Sequence, residues 1–208
     1  HVSIGEYAIA ENYYREALEI FGDNDPLRAC LVYTNLACAR LETGDREEAY
    51  RFAEIGLKQS EQQEDPARKA HALDCMGSVL CARGDEASAR ELLEKALFIY
   101  RGIPIPRGCA LVLNKLASLS ADDPDAADQL LREAEQMARQ SGLKPVLIDI
   151  LQHFHELSKR RGAWEDACRF IEQKVKEEQD LLKDRARLRL ISLRLELKLE
   201  QSQRETEL

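Results

Sequence analysis

The sequence predicts an all-α fold, in which antiparallel helix pairs stack as a solenoid and a long C-terminal helix follows. Three observations predict it. Pro26, Pro66 and Pro106 are spaced by 40 residues each time. Glycines interrupt the apolar runs at the same period and are followed by aspartates, which is typical of a helix end and the next helix start. The apolar runs themselves have helical spacing and no enrichment in β-branched residues.

The 40-residue period extends through both halves of each unit. The dipeptides Leu36-Ala37, Met76-Gly77 and Leu116-Ala117 share one register, and Gly44-Asp45 shares another with Gly84-Asp85. Imperfect copies follow at residues 125–134 and 162–171. Small residues in these positions allow two helices to approach closely while large residues fill the gaps, so each unit is predicted to be a helix pair stacked on its neighbours.

Helix boundaries follow from the residues at each end. Proline suits the first turn, where its missing N–H would have no intrahelical partner. Gly44 stops one helix, and Asp45 with Glu48 three residues later forms a capping-box pattern for the next. The predicted helices span 6–21, 27–43, 46–60, 67–83, 86–100, 107–119, 124–141, 144–161 and a segment that begins near 164.

The last helix breaks the repeat pattern. No Gly or Pro occurs after residue 163, and one helix is predicted from 164 to about 205. Residues 193–200 alternate between apolar and charged as a strand would, but they are good helix formers, so a helix is favoured. On a helix the apolar residues form two stripes, one of Leu188, Ile191, Leu195 and Leu199 and one of Leu190, Leu193 and Leu197. We expect one stripe to face the repeats and the other a partner helix in a parallel coiled-coil homodimer; the alternative is a helix folded back as a cap.

Composition excludes several classes of function. A net charge of -8 argues against nucleic acid as a partner, and the absence of 18 consecutive apolar residues argues against a membrane span. The six cysteines form no C-x-x-C pair, which favours small buried residues in a reducing compartment, hence a cytoplasmic protein without metal or other cofactor. No phosphate loop or hydrolase motif occurs, so no enzyme activity is expected of this chain.

The repeat resembles the tetratricopeptide repeat family, as shown by Met76-Gly77 with Ala89-x3-Leu93-x2-Ala96 and by Ala10-x3-Tyr14-x2-Ala17. The longer period is similar to versions in bacterial peptide-sensing regulators and kinesin light chain. The resemblance implies a right-handed superhelical solenoid of a half repeat and four repeats over residues 1–180, followed by the C-terminal helix over 181–208. Because the first copy matches only a turn and second helix, and the chain lacks an initiator Met, we expect it to be a piece of a longer polypeptide.

The resemblance also implies a concave groove, lined by the first helix of each pair, that binds a peptide or protein segment. The matching positions are Thr34, Asn35, Cys38, His71, Asp74, Ser78, Asn114, Lys115, Gln152 and His153. Asn35 and Asn114 suit a peptide backbone, because an amide both donates and accepts, whereas an ionised Asp74 favours a basic ligand or one that presents N–H groups. The alternative is that these side chains form local hydrogen bonds or a solvated face.

The C-terminal part of the sequence is similar to a bacterial arrangement in which tetratricopeptide repeats run through a long helix into a GGDEF diguanylate cyclase or a histidine kinase. This resemblance rests on the helical texture from Leu151-Gln152-His153 to Gln203-Arg204-Glu205. It implies a sensory and dimerising region that regulates an output domain. The alternative is a passive scaffold that assembles partner proteins.

Overall fold

The computed structural model describes residues 4–21, 25–62 and 64–206, and within these it contains helices and no strand. The helices are α1 (Ile4–Phe21), α2 (Pro26–Glu42), α3 (Arg46–Glu61), α4 (Pro66–Arg83), α5 (Glu86–Gly102), α6 (Pro106–Ser118), α7 (Pro124–Gln140), α8 (Lys144–Arg160) and α9 (Trp164–Thr206). The predicted all-α class is confirmed, and residues 193–199 lie within α9 as expected.

The repeat period sets where the helices begin and end. Prolines occupy the first turn of α2, α4 and α6. At the start of α4 the Asp65 carboxylate accepts from the backbone N–H groups of Ala67 and Arg68. Gly84 ends α4 with a φ of 86°, a left-handed conformation in which glycine carries no steric cost, and Asp85 then caps α5. Local chemistry therefore accounts for these boundaries.

The chain divides into two compact units, His1–Met137 and Ala138–Leu208. In the first unit α2 packs against α3 and α4 against α5, and the first helices of successive pairs also touch, α2 with α4 and α4 with α6. A shared core joins two pairs through small and medium side chains, namely Ala37, Ala49, Ala53, Cys75, Met76 and Val79. This packing is what the matched small residues of the repeat allow.

Gly77 shows why a small residue is required inside α4. A Cβ atom built there would lie 2.8 Å from Cγ of Leu93, a fully buried side chain on α5. The absence of a side chain at Gly77 thus sets how closely α4 and α5 approach.

The second unit contains the end of α7, α8 and α9, and its core forms where α8 packs against the first half of α9. The rings of Phe154 and Phe170 stack with centroids 4.7 Å apart, and Nδ1 of His155 lies 2.8 Å from the carbonyl oxygen of Ala167. The predicted domain boundary at residue 180 falls within α9, which runs without a break for 43 residues. None of the helices in the described ranges is both long enough and apolar enough to cross a bilayer.

Candidate peptide-binding surface

The first unit brings together predicted groove residues from three helices. Asn35 and Cys38 lie on α2, His71 and Asp74 on α4, and Lys115 on α6. Because α4 touches both α2 and α6, a ligand that follows these first helices would meet all three repeats. These five residues therefore lie on neighbouring helices of one unit and make up the candidate groove surface.

An ion pair joins two neighbouring repeats at the centre of this surface. Nζ of Lys115 lies 2.6 Å from Oδ1 of Asp74, and the carboxylate is nearly buried whereas the lysine side chain is 32% exposed. Burial opposes the charge of Lys115, but the attraction of Asp74 and the hydrogen bond to it outweigh that cost and raise the pKa of Lys115. The two charges therefore neutralise each other, and Asp74 is not the open acceptor for a basic ligand that the sequence suggested.

Two further side chains beside the ion pair are uncharged hydrogen-bonding groups. Burial lowers the pKa of His71; Asp74 opposes this shift and Lys115 adds to it, so the imidazole is neutral at pH 7, with one donor and one acceptor nitrogen. Asn35 is half-buried on α2. An amide and a neutral imidazole suit the N–H and C=O groups of a peptide backbone.

Three other predicted groove residues are buried or form hydrogen bonds within the protein. Thr34 is fully buried, and its hydroxyl lies within hydrogen-bond distance of the carbonyl oxygens of Cys30 and Leu31 on its own helix. Ser78 donates to the backbone carbonyl of Asp74 at 2.8 Å. Asn114 is 6% exposed. Thr34 in particular packs between α2 and α3, where it offers no surface to a ligand.

Gln152 and His153 belong to the second unit, on α8. Nε2 of Gln152 donates to Glu156 of the same helix at 3.0 Å. Burial lowers the pKa of His153; Asp149 opposes the shift and Arg160 adds to it. Both side chains are half-buried on α8, in a part of the chain that is compact by itself.

The two apolar stripes of α9 are both exposed. Their members are Leu188, Leu190, Ile191, Leu193, Leu195, Leu197 and Leu199, with exposed fractions between 45% and 66%. Every residue from 182 to 199 is exposed, so both stripes face solvent along this stretch of the helix. The stripes lie on opposite faces of the helix, because their members are roughly 170° apart around its axis.

A second surface was not predicted from the sequence. A cleft of about 610 Å³ lies between α3, α4 and α5, with Leu57, Leu73 and Ile99 in its wall. Phe98 stands at its edge with 82% of its surface exposed. The signal was present in the sequence, since an aromatic residue directly after the inward-facing Leu97 is out of phase with the buried face of α5.

Comparisons with known proteins agree with this architecture. Residues 70–102, which comprise most of α4 and all of α5, match the family model described as Tetratricopeptide repeat. The chain matches none of the curated proteins. The resemblance to tetratricopeptide repeats is thus supported over one helix pair.

Solved structures extend the likeness to most of the chain. BtubC (BKLC) from P. vanneervenii is similar with a TM-score of 0.67 and 20% identity, over 85% of this chain and 75% of that one. A putative kinesin light chain from Podosopora anserina with nearly identical TPR-like repeats gives 0.59 and 16%, over 85% and 89%. MamA gives 0.54 and 16%, over 86% and 92%. At these identities the likeness establishes the fold alone, a TPR-like arrangement of helix pairs.

Proposed function

We propose that this chain is a cytoplasmic peptide-binding module that dimerises through α9. The observation that carries the binding proposal is the alignment of Asn35, His71 and the Asp74–Lys115 pair along three first helices that touch in order. No catalytic group is needed for such a role, and the fold is one of non-catalytic repeat scaffolds.

The ligand class follows from the charges of the surface. Because Asp74 and Lys115 neutralise each other at 2.6 Å, the pair favours neither an acidic nor a basic ligand strongly. The amide of Asn35 and the neutral imidazole of His71 remain as directional hydrogen-bonding groups beside it. We therefore expect an uncharged stretch of peptide, recognised through its backbone, and a specificity that depends on the side chains that flank that stretch.

Peptide selection tests the binding proposal. A random peptide library displayed on phage is selected against the intact chain, and the dissociation constants of the recovered peptides are measured by fluorescence anisotropy. Asn35→Ala combined with His71→Ala removes two hydrogen bonds, each worth about 0.5–1.5 kcal/mol, and should weaken binding at least about fivefold. Phe98→Ala is the comparison variant, because it removes an exposed side chain on the other surface.

The two variants separate the two surfaces. Loss of affinity in the double variant with unchanged affinity in Phe98→Ala supports the groove. The opposite pattern would contradict the groove and assign recognition to the cleft between α3 and α5. Circular dichroism of each variant checks that the helices remain folded.

The dimer proposal is supported by the exposure of the α9 stripes. Burying a leucine is worth about 1.5–3 kcal/mol, so leaving seven apolar side chains in water over about three turns is a large unfavourable contribution. A parallel pair of helices covers one face only. We expect the stripe of Leu188, Ile191, Leu195 and Leu199 to form the seam, since it is the longer one and its spacings of three and four residues fit a coiled coil.

Light scattering of α9 variants tests which stripe forms the dimer interface. Leu195→Glu should convert a dimer to a monomer, whereas Leu193→Glu on the opposite face should leave the dimer intact. Lys198→Gln changes the net charge by the same amount without removing an apolar group, and serves as the control. A monomeric unsubstituted chain at high micromolar concentration would contradict the dimer, and dissociation by Leu193→Glu alone would assign the seam to the other stripe.

The regulatory role rests on both proposals together. In the bacterial arrangement that the sequence resembles, a helix such as α9 connects a repeat sensor to a diguanylate cyclase or histidine kinase, and dimer geometry controls the output. The gene sequence that encodes the residues after Leu208 tests this directly. A GGDEF motif supports the regulatory role, and a stop codon favours a scaffold that only assembles partners.

A further inference from the structure

Two cysteines from neighbouring repeats meet beside the groove. Cys38 on α2 and Cys75 on α4 are far apart in sequence, yet their sulfur atoms lie 3.7 Å apart. The Cys75 thiol also lies 3.4 Å from the backbone carbonyl of Thr34, which fixes its position against α2. The spacing of the cysteines in the sequence predicts no pair, so this contact is a property that only the fold reveals.

The two sulfur atoms differ in their access to solvent. Cys75 is 2% exposed, whereas Cys38 is only half-buried and borders the groove. The contact with the Cys75 sulfur lowers the pKa of Cys38; burial opposes the shift, and the Lys115 ammonium adds to it. The same contact and burial raise the pKa of Cys75. One thiol is thus suited to react with a solute, and the other is held beside it as a protected partner.

We propose that Cys38 and Cys75 form a redox modification site, in which a hydroperoxide such as hydrogen peroxide converts the dithiol to a disulfide that links α2 to α4. Only a small movement of the two cysteines is needed to form this bond. A disulfide bond is about 2.05 Å long, so the two sulfur atoms must approach by about 1.7 Å, which side-chain rotation combined with a small helix shift provides.

The chemistry balances with hydrogen peroxide as the oxidant. The Cys38 thiolate attacks one peroxide oxygen, the O–O bond breaks, and the departing hydroxide takes up a proton to form water, which leaves a sulfenic acid. The sulfur of Cys75, as its proton is lost, attacks the sulfur of Cys38, and the S–O bond breaks to release a second water. In total, two thiols and one hydrogen peroxide give one disulfide and two waters.

The disulfide would act on the surface that carries the candidate groove. Cys38 lies one helical turn from Asn35, and Cys75 follows Asp74 directly. A covalent link would hold the first helices of two repeats at one separation and restrain movement between them. The inference concerns the thiol pair alone and does not depend on whether the groove binds a peptide.

Thiol mapping of the intact chain tests the site. The reduced protein carrying Cys168→Ser, which removes the exposed thiol, is treated with a small excess of hydrogen peroxide, alkylated and digested for mass spectrometry. We expect a peptide that joins Cys38 to Cys75 as the main product, reversed by dithiothreitol, and a higher melting temperature for the oxidised chain. Recovery of both cysteines in alkylated form while other thiols are oxidised would overturn the proposal.

Single variants test the order of events. In Cys75→Ser the sulfenic acid of Cys38 has no partner, so dimedone should label Cys38, whereas Cys38→Ser should remove both the label and the disulfide. Cys81→Ser, a half-buried cysteine on the same helix as Cys75, is the matched control and should form the disulfide normally. A disulfide that requires Cys81, or dimedone labelling of Cys75 in Cys38→Ser, would contradict the assignment. The mapping of the protein with Cys38 and Cys75 intact decides the matter even if a variant does not fold.

Discussion

The repeats and the second half of α9 use the same residue type at the same helical spacing, with opposite results. Leu36, Leu93 and Leu113 of the repeats are fully buried, whereas Leu188 and Leu195 of α9 are 66% and 57% exposed. An apolar stripe therefore predicts a helix and the face of it that favours burial, but not which element buries that face. In the repeats, neighbouring helices bury the apolar stripes. In α9 the two stripes stay exposed among the described residues.

The origin of helix stability differs between the two regions as well. In the repeats each helix is stabilised mainly by burial against its neighbours. Residues 182–199 of α9 are exposed throughout, so their helicity depends on intrinsic propensity and surface ion pairs such as Lys183 with Asp180, which contribute little each.

Replacing one leucine by alanine in the repeats and one in α9 should give the largest difference in the free energy of unfolding. Leu93→Ala removes a fully buried side chain and should reduce the free energy of unfolding by about 2–5 kcal/mol, because a cavity is added to the lost burial. Leu188→Ala should change it by less than about 0.5 kcal/mol at low protein concentration. Urea denaturation at two protein concentrations measures both, and equal losses would show that α9 is covered within the monomer.

Adding a methyl group should distinguish a packed glycine from an open one. Gly77→Ala places a Cβ 2.8 Å from Cγ of Leu93, and we expect a loss of about 1–2 kcal/mol after the gain in helix propensity is counted. Gly102→Ala, at the end of α5, meets nothing within 4 Å and should be neutral or stabilising by up to about 1 kcal/mol. Thermal unfolding compares the pair; a stabilising Gly77→Ala would mean that α4 and α5 separate easily.

The smallest effect should come from the Asp65 cap of α4. Burial would raise the pKa of Asp65, but the hydrogen bonds from the Arg68 backbone and side chain and from Ala67 outweigh it and lower the pKa. A lowered pKa in the folded state means that the stabilisation is complete above about pH 4 and is lost as pH falls through the folded value. Asp65→Ala should therefore cost about 1 kcal/mol at pH 7 and progressively less in acid. A difference independent of pH would contradict the role of the carboxylate charge.

Sequence reasoning was most successful where a local rule acts. Proline at the first turn, the left-handed Gly84 and the capping Asp85 each act on the few residues around them, and all are found as predicted. It was least successful for the orientation of polar side chains on the first helices. Thr34 points into the α2–α3 contact, because a shift of one residue turns a side chain by about 100° around the helix. Asp74 is neutralised by Lys115, which lies on a different helix.

The sequence by itself determined the helix boundaries, the repeat period and the continuity of α9, because these depend on backbone preferences and on the spacing of apolar residues within a few turns. Tertiary structure alone decided that Cys38 meets Cys75, that Lys115 reaches Asp74 and that Phe98 stands at the edge of a cleft. The physical reason is that these contacts join or border separate helices. Their distances depend on how the helices cross and rotate, which the packing of the whole unit fixes and no local rule contains.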